Sequence, residues 1–153
     1  MSITIRSALE ADLPQVAALF DLYRQFYEQA PDPALAREFI EARFARGESV
    51  LLVAQAAEGE GDLVGFCQLY PSFCSVEAAP IYVLYDLFVA ASARRSGAGR
   101  ALLLAAENRA RTDGKARMDL TTARNNHGAQ HLYESLGWKR DEVFYAYSRR
   151  IEA

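Results

Sequence analysis

The chain has 153 residues, 51% hydrophobic and 24% charged, which suits one globular domain spanning residues 1–153. No apolar run approaches the ~20 residues that span a bilayer. The opening Met1-Ser2-Ile3-Thr4-Ile5-Arg6 lacks a basic segment followed by a long apolar core, so no membrane partner and a cytoplasmic location are expected. The net charge of −3 divides unevenly: residues 1–91 hold 5 Lys+Arg against 13 Asp+Glu (net −8), and residues 92–153 hold 12 against 7 (net +5), a pattern that suits a cationic ligand in the first half and an anionic one in the second and argues against nucleic acid.

Ile3–Arg6 alternates and reads as a short strand. Asp12 is placed to cap a helix with Pro14 in its first turn, and Val16, Leu19, Phe20, Tyr23 and Tyr27 follow helical spacing. Pro31-Asp32-Pro33 breaks that helix, and a second one over 34–45 ends at Gly47. Val50–Ala54 reads as a buried strand, 58–62 as a turn and 63–70 as the hairpin partner. A loop is expected over 71–80, then a long central strand over 81–89. A helix runs to about Thr112, with Gly114 just past its end. A strand over 117–122, a helix over 126–136 closed by Gly137, and a final alternating strand over 142–149 complete the order βααβββαβαβ. That order implies an α/β (α+β) fold, one mixed sheet flanked by helices.

The stretch Arg94-Arg95-Ser96-Gly97-Ala98-Gly99-Arg100 stands between the long strand and the helix that follows. A strand, a glycine-containing basic loop and a helix N-terminus make a phosphate cradle. Unpaired N–H groups of the first turn face the anion, and arginine forks match phosphate oxygens. The loop lacks the Gly-Lys-Ser/Thr ending of a P-loop. It also lacks the third glycine of a dinucleotide fingerprint and falls late in the chain rather than at the first strand–helix turn. Cys67 and Cys74 are the only cysteines, too few for a disulfide framework. His127 and His131 stand at i, i+4, but no third ligand accompanies them, so no metal is expected.

Arg94-x-x-Gly97-x-Gly99, then Asn126-x-x-Ala129-x-x-x-Tyr133 and Leu136-Gly137-Trp138, resembles the GCN5-related N-acetyltransferase (GNAT) family, and the likeness covers nearly the whole chain including its element order. Asp86-Leu87-Phe88-Val89 and Tyr23-Arg24-Gln25-Phe26-Tyr27-Glu28 look like its histone and polyamine acetyltransferase branch. The resemblance implies acetyl-CoA as co-substrate, with its pyrophosphate on Arg94, Arg95, Ser96, Gly97, Ala98, Gly99 and Arg100. The pantetheine arm would pair with Leu87, Phe88 and Val89, where a bulge splays neighbouring strands. Asn126 and Ala129 belong to the same cofactor motif, Asn126 holding the pantetheine. Tyr133 would protonate the departing thiolate and the Val89 N–H would polarise the thioester carbonyl.

Tyr23, Tyr27, Glu28, Tyr85 and Asp86 are the expected acceptor contacts. In polyamine-type members a Glu often precedes the strand Asp; here Tyr85 takes that place, leaving Asp86 or Glu28 as general base. The expected reaction is transfer to a primary amine (polyamine, lysine side chain or other small cationic amine) by direct attack in a ternary complex. A route through Cys67 or Cys74 lacks an evident base. The alternatives are a non-catalytic acyl-CoA-binding regulatory module and transfer of a longer acyl group. The resemblance also makes a homodimer an expectation.

Overall fold

A computed structural model describes residues 2–57 and 61–152. The chain divides into two compact units, one running through Thr121 and the other from Thr122.

In the first unit, β1 (Ile3–Ser7), β2 (Val50–Ala56), β3 (Leu63–Cys74), β4 (Ala79–Val89) and β5 (Met118–Asp119) form a sheet in the order β1-β2-β3-β4-β5. All pairs are antiparallel except β4–β5. α1 (Leu13–Phe26) and α2 (Pro33–Ala45) cover one face, where Val16, Phe20 and Ile40 meet Val53, Phe66 and Phe88. α3 (Ala98–Thr112) covers the other, burying Leu102, Leu103 and Ala106. With both faces covered, β3 is buried continuously from Leu63 to Leu69 and does not alternate. Gly65 permits the close fit: a Cβ there would stand 2.9 Å from the Phe88 carbonyl oxygen and 3.4 Å from Leu102 Cδ1.

Local chemistry corrects several expectations. Asp12 does not cap α1 with its side chain. Its carboxylate instead accepts both Arg6 guanidinium nitrogens at 2.7 and 2.9 Å and the Leu9 N–H at 2.7 Å, because a bidentate charged donor outcompetes a backbone one. α2 begins at Pro33, capped by Asp32, whose carboxylate accepts the Leu35 N–H at 3.1 Å. The expected 71–80 loop is largely strand: β3 and β4 stay paired out to Cys74↔Ala79. β2 begins opposite Leu69, so Pro71 sits where β3 is an edge on one side and proline is tolerated. The Glu58–Glu60 part of the expected 58–62 turn lies outside the described residues.

The strand expected over 117–122 shrinks to Met118 and Asp119, which pair with Tyr82 and Val83. In the second unit α4 spans His127–Ser135. Residues 142–149 form no strand. The Asp141 carboxylate accepts the N–H groups of Val143 (2.8 Å) and Phe144 (3.2 Å), a local turn that takes both donors out of ladder geometry. The observed α/β order is therefore βααβββαβα. Among the described residues no helix is long and apolar enough to cross a membrane.

Candidate functional site

β4 positions the site. Its ladder with β3 is continuous from Gln68↔Asp86 to Gly65↔Val89, and the Ala90 N–H continues it to the Val64 carbonyl at 2.7 Å. Alternation along an antiparallel ladder then turns the N–H groups of Leu87 and Val89 away from β3. On that far side, among the described residues, β5 reaches only Tyr82 and Val83, so 84–89 present an open edge. The Arg94 Nε donates to the Val89 carbonyl at 3.3 Å from the same side, as the alternation requires.

The basic loop continues from that edge. Ala91–Ala93 make a short 3-10 turn, Arg95 (φ +65°) and Gly97 (φ +85°) adopt left-handed backbone, and α3 starts at Ala98. Two left-handed residues within three turn the chain sharply between β4 and α3. Ser96 closes the turn: its hydroxyl donates to the Ala93 carbonyl and accepts the Ala98 N–H. The first bond inside α3 runs from the Ala101 N–H to the Gly97 carbonyl, so the Gly99 and Arg100 N–H groups lie ahead of it at the positive end of the helix dipole. Arg94, Arg95 and Arg100 are exposed and Ala98 is buried.

The bulge expected at 87–89 lies at Tyr85. Leu69 pairs with Leu84 and Gln68 with Asp86, so Tyr85 is the extra residue of β4. The bulge leaves both Leu84 and Asp86 3% exposed while Tyr85 is 66% exposed. Asp86 thus lies on the α1 side of the sheet, in line with Phe88. Its carboxylate accepts Gln68 Nε2 at 2.6 Å, and Gln68 Oε1 accepts the Ser49 hydroxyl at 2.6 Å. Burial pushes the Asp86 carboxyl above its ordinary value, and hydrogen bonding to Gln68 and Tyr23 pulls against that. The single Tyr23 hydroxyl proton serves either Asp86 or the Tyr85 carbonyl, 3.0 Å away.

Aromatic side chains lie beside the carboxylate, whose charge bears on Tyr23 and Tyr70. Tyr23 meets Tyr27 edge-on at 5.1 Å, and Tyr70 meets Tyr85 at 5.6 Å. Burial, with the Asp86 charge adding to it, raises the Tyr23 phenol and pushes Tyr70 up to about 12, so both stay protonated at neutral pH. Cys67 is fully buried beside this group, its thiol pushed up by burial. Tyr23, Tyr27, Tyr85 and Asp86 are therefore brought together. Glu28 stands past Tyr27 on an exposed left-handed turn at φ +66°. Ser49, Gln68 and Tyr70 escaped the sequence reading. The one signal for them is Gln68, an amide within the otherwise apolar run 63–70.

In the second unit, Asn126 caps α4: its side-chain oxygen accepts the Ala129 N–H at 3.2 Å, leaving the amide NH₂ as a donor. The Tyr133 ring lies 6.1 Å from that of Trp138, and the Trp138 backbone N–H donates to the Tyr133 carbonyl at 3.1 Å. Among the described residues no group of three His, Cys, Asp or Glu side chains is arranged to hold a metal ion.

A model of the acetyltransferase (GNAT) family matches residues 16–138. The chain is 42% identical over 151 residues to the uncharacterized N-acetyltransferase YhfO of Bacillus subtilis (strain 168), covering 99% of each chain. It is 31% identical over 128 residues to the D-amino-acid N-acetyltransferase HPA3 of Saccharomyces cerevisiae, covering 83% of this chain and 79% of that one. The crystal structure of a probable acetyltransferase, 40% identical, superposes with a TM-score of 0.89 over 100% of this chain and 99% of that one.

Proposed function

The chain belongs to the acetyltransferase (GNAT) family and is an acetyl-CoA-dependent N-acetyltransferase; from that premise we propose that its acceptor is a primary amine carried as a cation, acetylated by direct attack in a ternary complex. The observation that carries this reading is the open edge of β4 running straight into the Arg94–Arg100 loop. An extended amide-bearing arm can add to the N–H groups of Leu87 and Val89 as a strand would. Its pyrophosphate then falls where α3 begins, against the first-turn N–H groups and arginines. The Val89 N–H supplies a donor to the thioester oxygen as negative charge develops there.

An alkylamine has a pKa near 10.4, so about 0.1% is neutral at pH 7.4. Only the neutral form attacks, and offsetting three pKa units is worth about 4 kcal/mol. Asp86 is the base this reading assigns, taking the proton directly or through water. Its burial raises its proton affinity toward the operating range, where a carboxylate base is most effective. Tyr23, Tyr27 and Tyr85 offer ring faces to the cation before it loses its proton. Tyr133 is assigned as the acid that protonates the thiolate, a phenol hydroxyl being a suitable donor for that step, and Asn126 as a hydrogen-bond partner of the pantetheine. Glu28, exposed, supplies negative charge that draws the cation. A covalent route through Cys67 is disfavoured, because a buried thiol with raised pKa is a poor nucleophile.

The acidic first half supports polyamines and lysine side chains as acceptors; the family resemblance alone supports a homodimer, with the cytoplasm as the proposed compartment. The similarity to HPA3 supports α-amino acids as a second acceptor class. The test is release of free CoA across a panel of polyamines, a lysine peptide and D- and L-amino acids, with Asp86→Asn and Tyr133→Phe alongside. Both variants are expected to lower kcat at least tenfold, and the Asp86 variant is expected to lose the acid limb of the pH profile.

A further inference from the structure

Asp86 is held by a chain of side chains that the family resemblance did not identify. Gln68 is fully buried and Asp86 is 3% exposed, and they face each other across the β3–β4 ladder at the Tyr85 bulge. Without the bulge, the register would carry one of the two to the opposite face. The pair is therefore created by one extra residue in β4. Ser49 sits just ahead of β2, half-buried, and its hydroxyl hydrogen bonds to the far end of the same amide.

The geometry fixes a direction. An amide has a donor end and an acceptor end. At 2.6 Å, a carboxylate oxygen can face the NH₂ end; facing the carbonyl end, it would have to be protonated. With its NH₂ end on the carboxylate, the amide turns Oε1 to Ser49, whose hydroxyl donates to it at 2.6 Å and anchors the far end. We propose that Ser49 and Gln68 act as positioning residues which keep Asp86 ionised and turned toward the acceptor. This rests on the assignment of Asp86 as base. The chain does not itself move a proton: Gln68 donates a hydrogen bond and keeps its hydrogen.

The groups that bear on Asp86 are named by the same geometry. Tyr23 comes from α1, and Tyr70 and Cys67 come from β3. All are neutral acids in the working range, and no cation hydrogen bonds to the carboxylate among the described residues. Gln68 is thus the principal device opposing the effect of burial, and hydrogen bonding to the charged form is the physical means.

The test is the titration of Asp86 followed by ¹³C NMR of the side-chain carboxyl in Asp-labelled protein, its signal assigned by loss in Asp86→Asn. Gln68→Leu is expected to raise the midpoint by about one pH unit, and Ser49→Ala, which keeps the amide, to raise it by less. The acid limb of kcat/KM for the acceptor is expected to move upward with the NMR midpoint, with activity recovered at alkaline pH. Folded variants whose midpoint is unchanged overturn the positioning role. If the NMR midpoint moves but the acid limb of kcat/KM stays in place, the positioning role stands and the assignment of Asp86 as base fails.

Discussion

The Tyr23 hydroxyl of α1 stands 3.0 Å from the Tyr85 carbonyl, at the bulge of β4. α1 is thereby tied to the residue whose insertion brings Asp86 opposite Gln68. Tyr23→Phe removes the hydroxyl while keeping the ring contacts with Phe66 and Phe88 at 6.0 and 6.3 Å. It is expected to cost about 0.5–1.5 kcal/mol in denaturant unfolding, and to raise the acceptor KM more than that for acetyl-CoA. Equal changes in both constants would place Tyr23 outside the acceptor side.

Gly65→Ala is expected to destabilise by about 1–3 kcal/mol, since the new methyl meets backbone that cannot step aside. Its Cβ would approach the Phe88 carbonyl oxygen to 2.9 Å and both Leu102 Cδ1 and Val89 Cγ2 to 3.4 Å. The strain falls on the end of β4 that offers the Val89 N–H. Calorimetry of unfolding and titration with CoA should therefore both report a loss.

Gly97→Ala isolates the backbone. Nothing lies within 4 Å of its Cβ position, yet φ is +85°, so the cost is conformational. About 1–2 kcal/mol is expected, most of it relieved by letting the loop open. CoA affinity should fall while acceptor KM at saturating acetyl-CoA is unchanged.

How much of this was legible depends on the range of the interaction. The Arg94–Arg100 loop was readable because its parts are consecutive: strand, positive-φ glycine, helix start. Asp32 and Asn126 cap neighbours three residues away, an equally local relation, although in the sequence Asp32 reads only as part of a helix break and Asn126 only as a motif residue. Gln68 was not readable as a partner of Asp86. Their pairing depends on a bulge, and alternation alone does not say where a register slips. Pro71 misled because its usual meaning assumes neighbours on both sides of the strand. The final strand misled because Val143, Tyr145 and Tyr147 supply an alternating period, while Asp141 draws the Val143 and Phe144 N–H groups into a local turn. Asp12 looked like a cap until Arg6, on another element, proved the stronger donor.

That Arg6–Asp12 pair gives a pH prediction. The Arg6 guanidinium beside it and the Leu9 N–H hold the Asp12 carboxyl below its ordinary value, against burial. Its stabilisation is fully present above the unfolded carboxylate pKa of about 3.9 and is lost as pH falls through the lower folded value. Asp12→Asn is expected to cost about 1–3 kcal/mol at pH 7. Its unfolding free energy should also decline less steeply than the wild type's below about pH 4. Parallel acid profiles would show that Asp12 carries no ionic stabilisation.

The most direct test is mass spectrometry of the acceptor after incubation with acetyl-CoA, run on the wild type and on Asp86→Asn. A primary amine that gains one acetyl group, with stoichiometric release of CoA and no acetylated cysteine on the enzyme, is the predicted result. The Asp86 variant should still bind CoA and transfer at least tenfold more slowly at neutral pH. An acetyl-cysteine intermediate, or an Asp86 variant that transfers at the wild-type rate, would contradict the account.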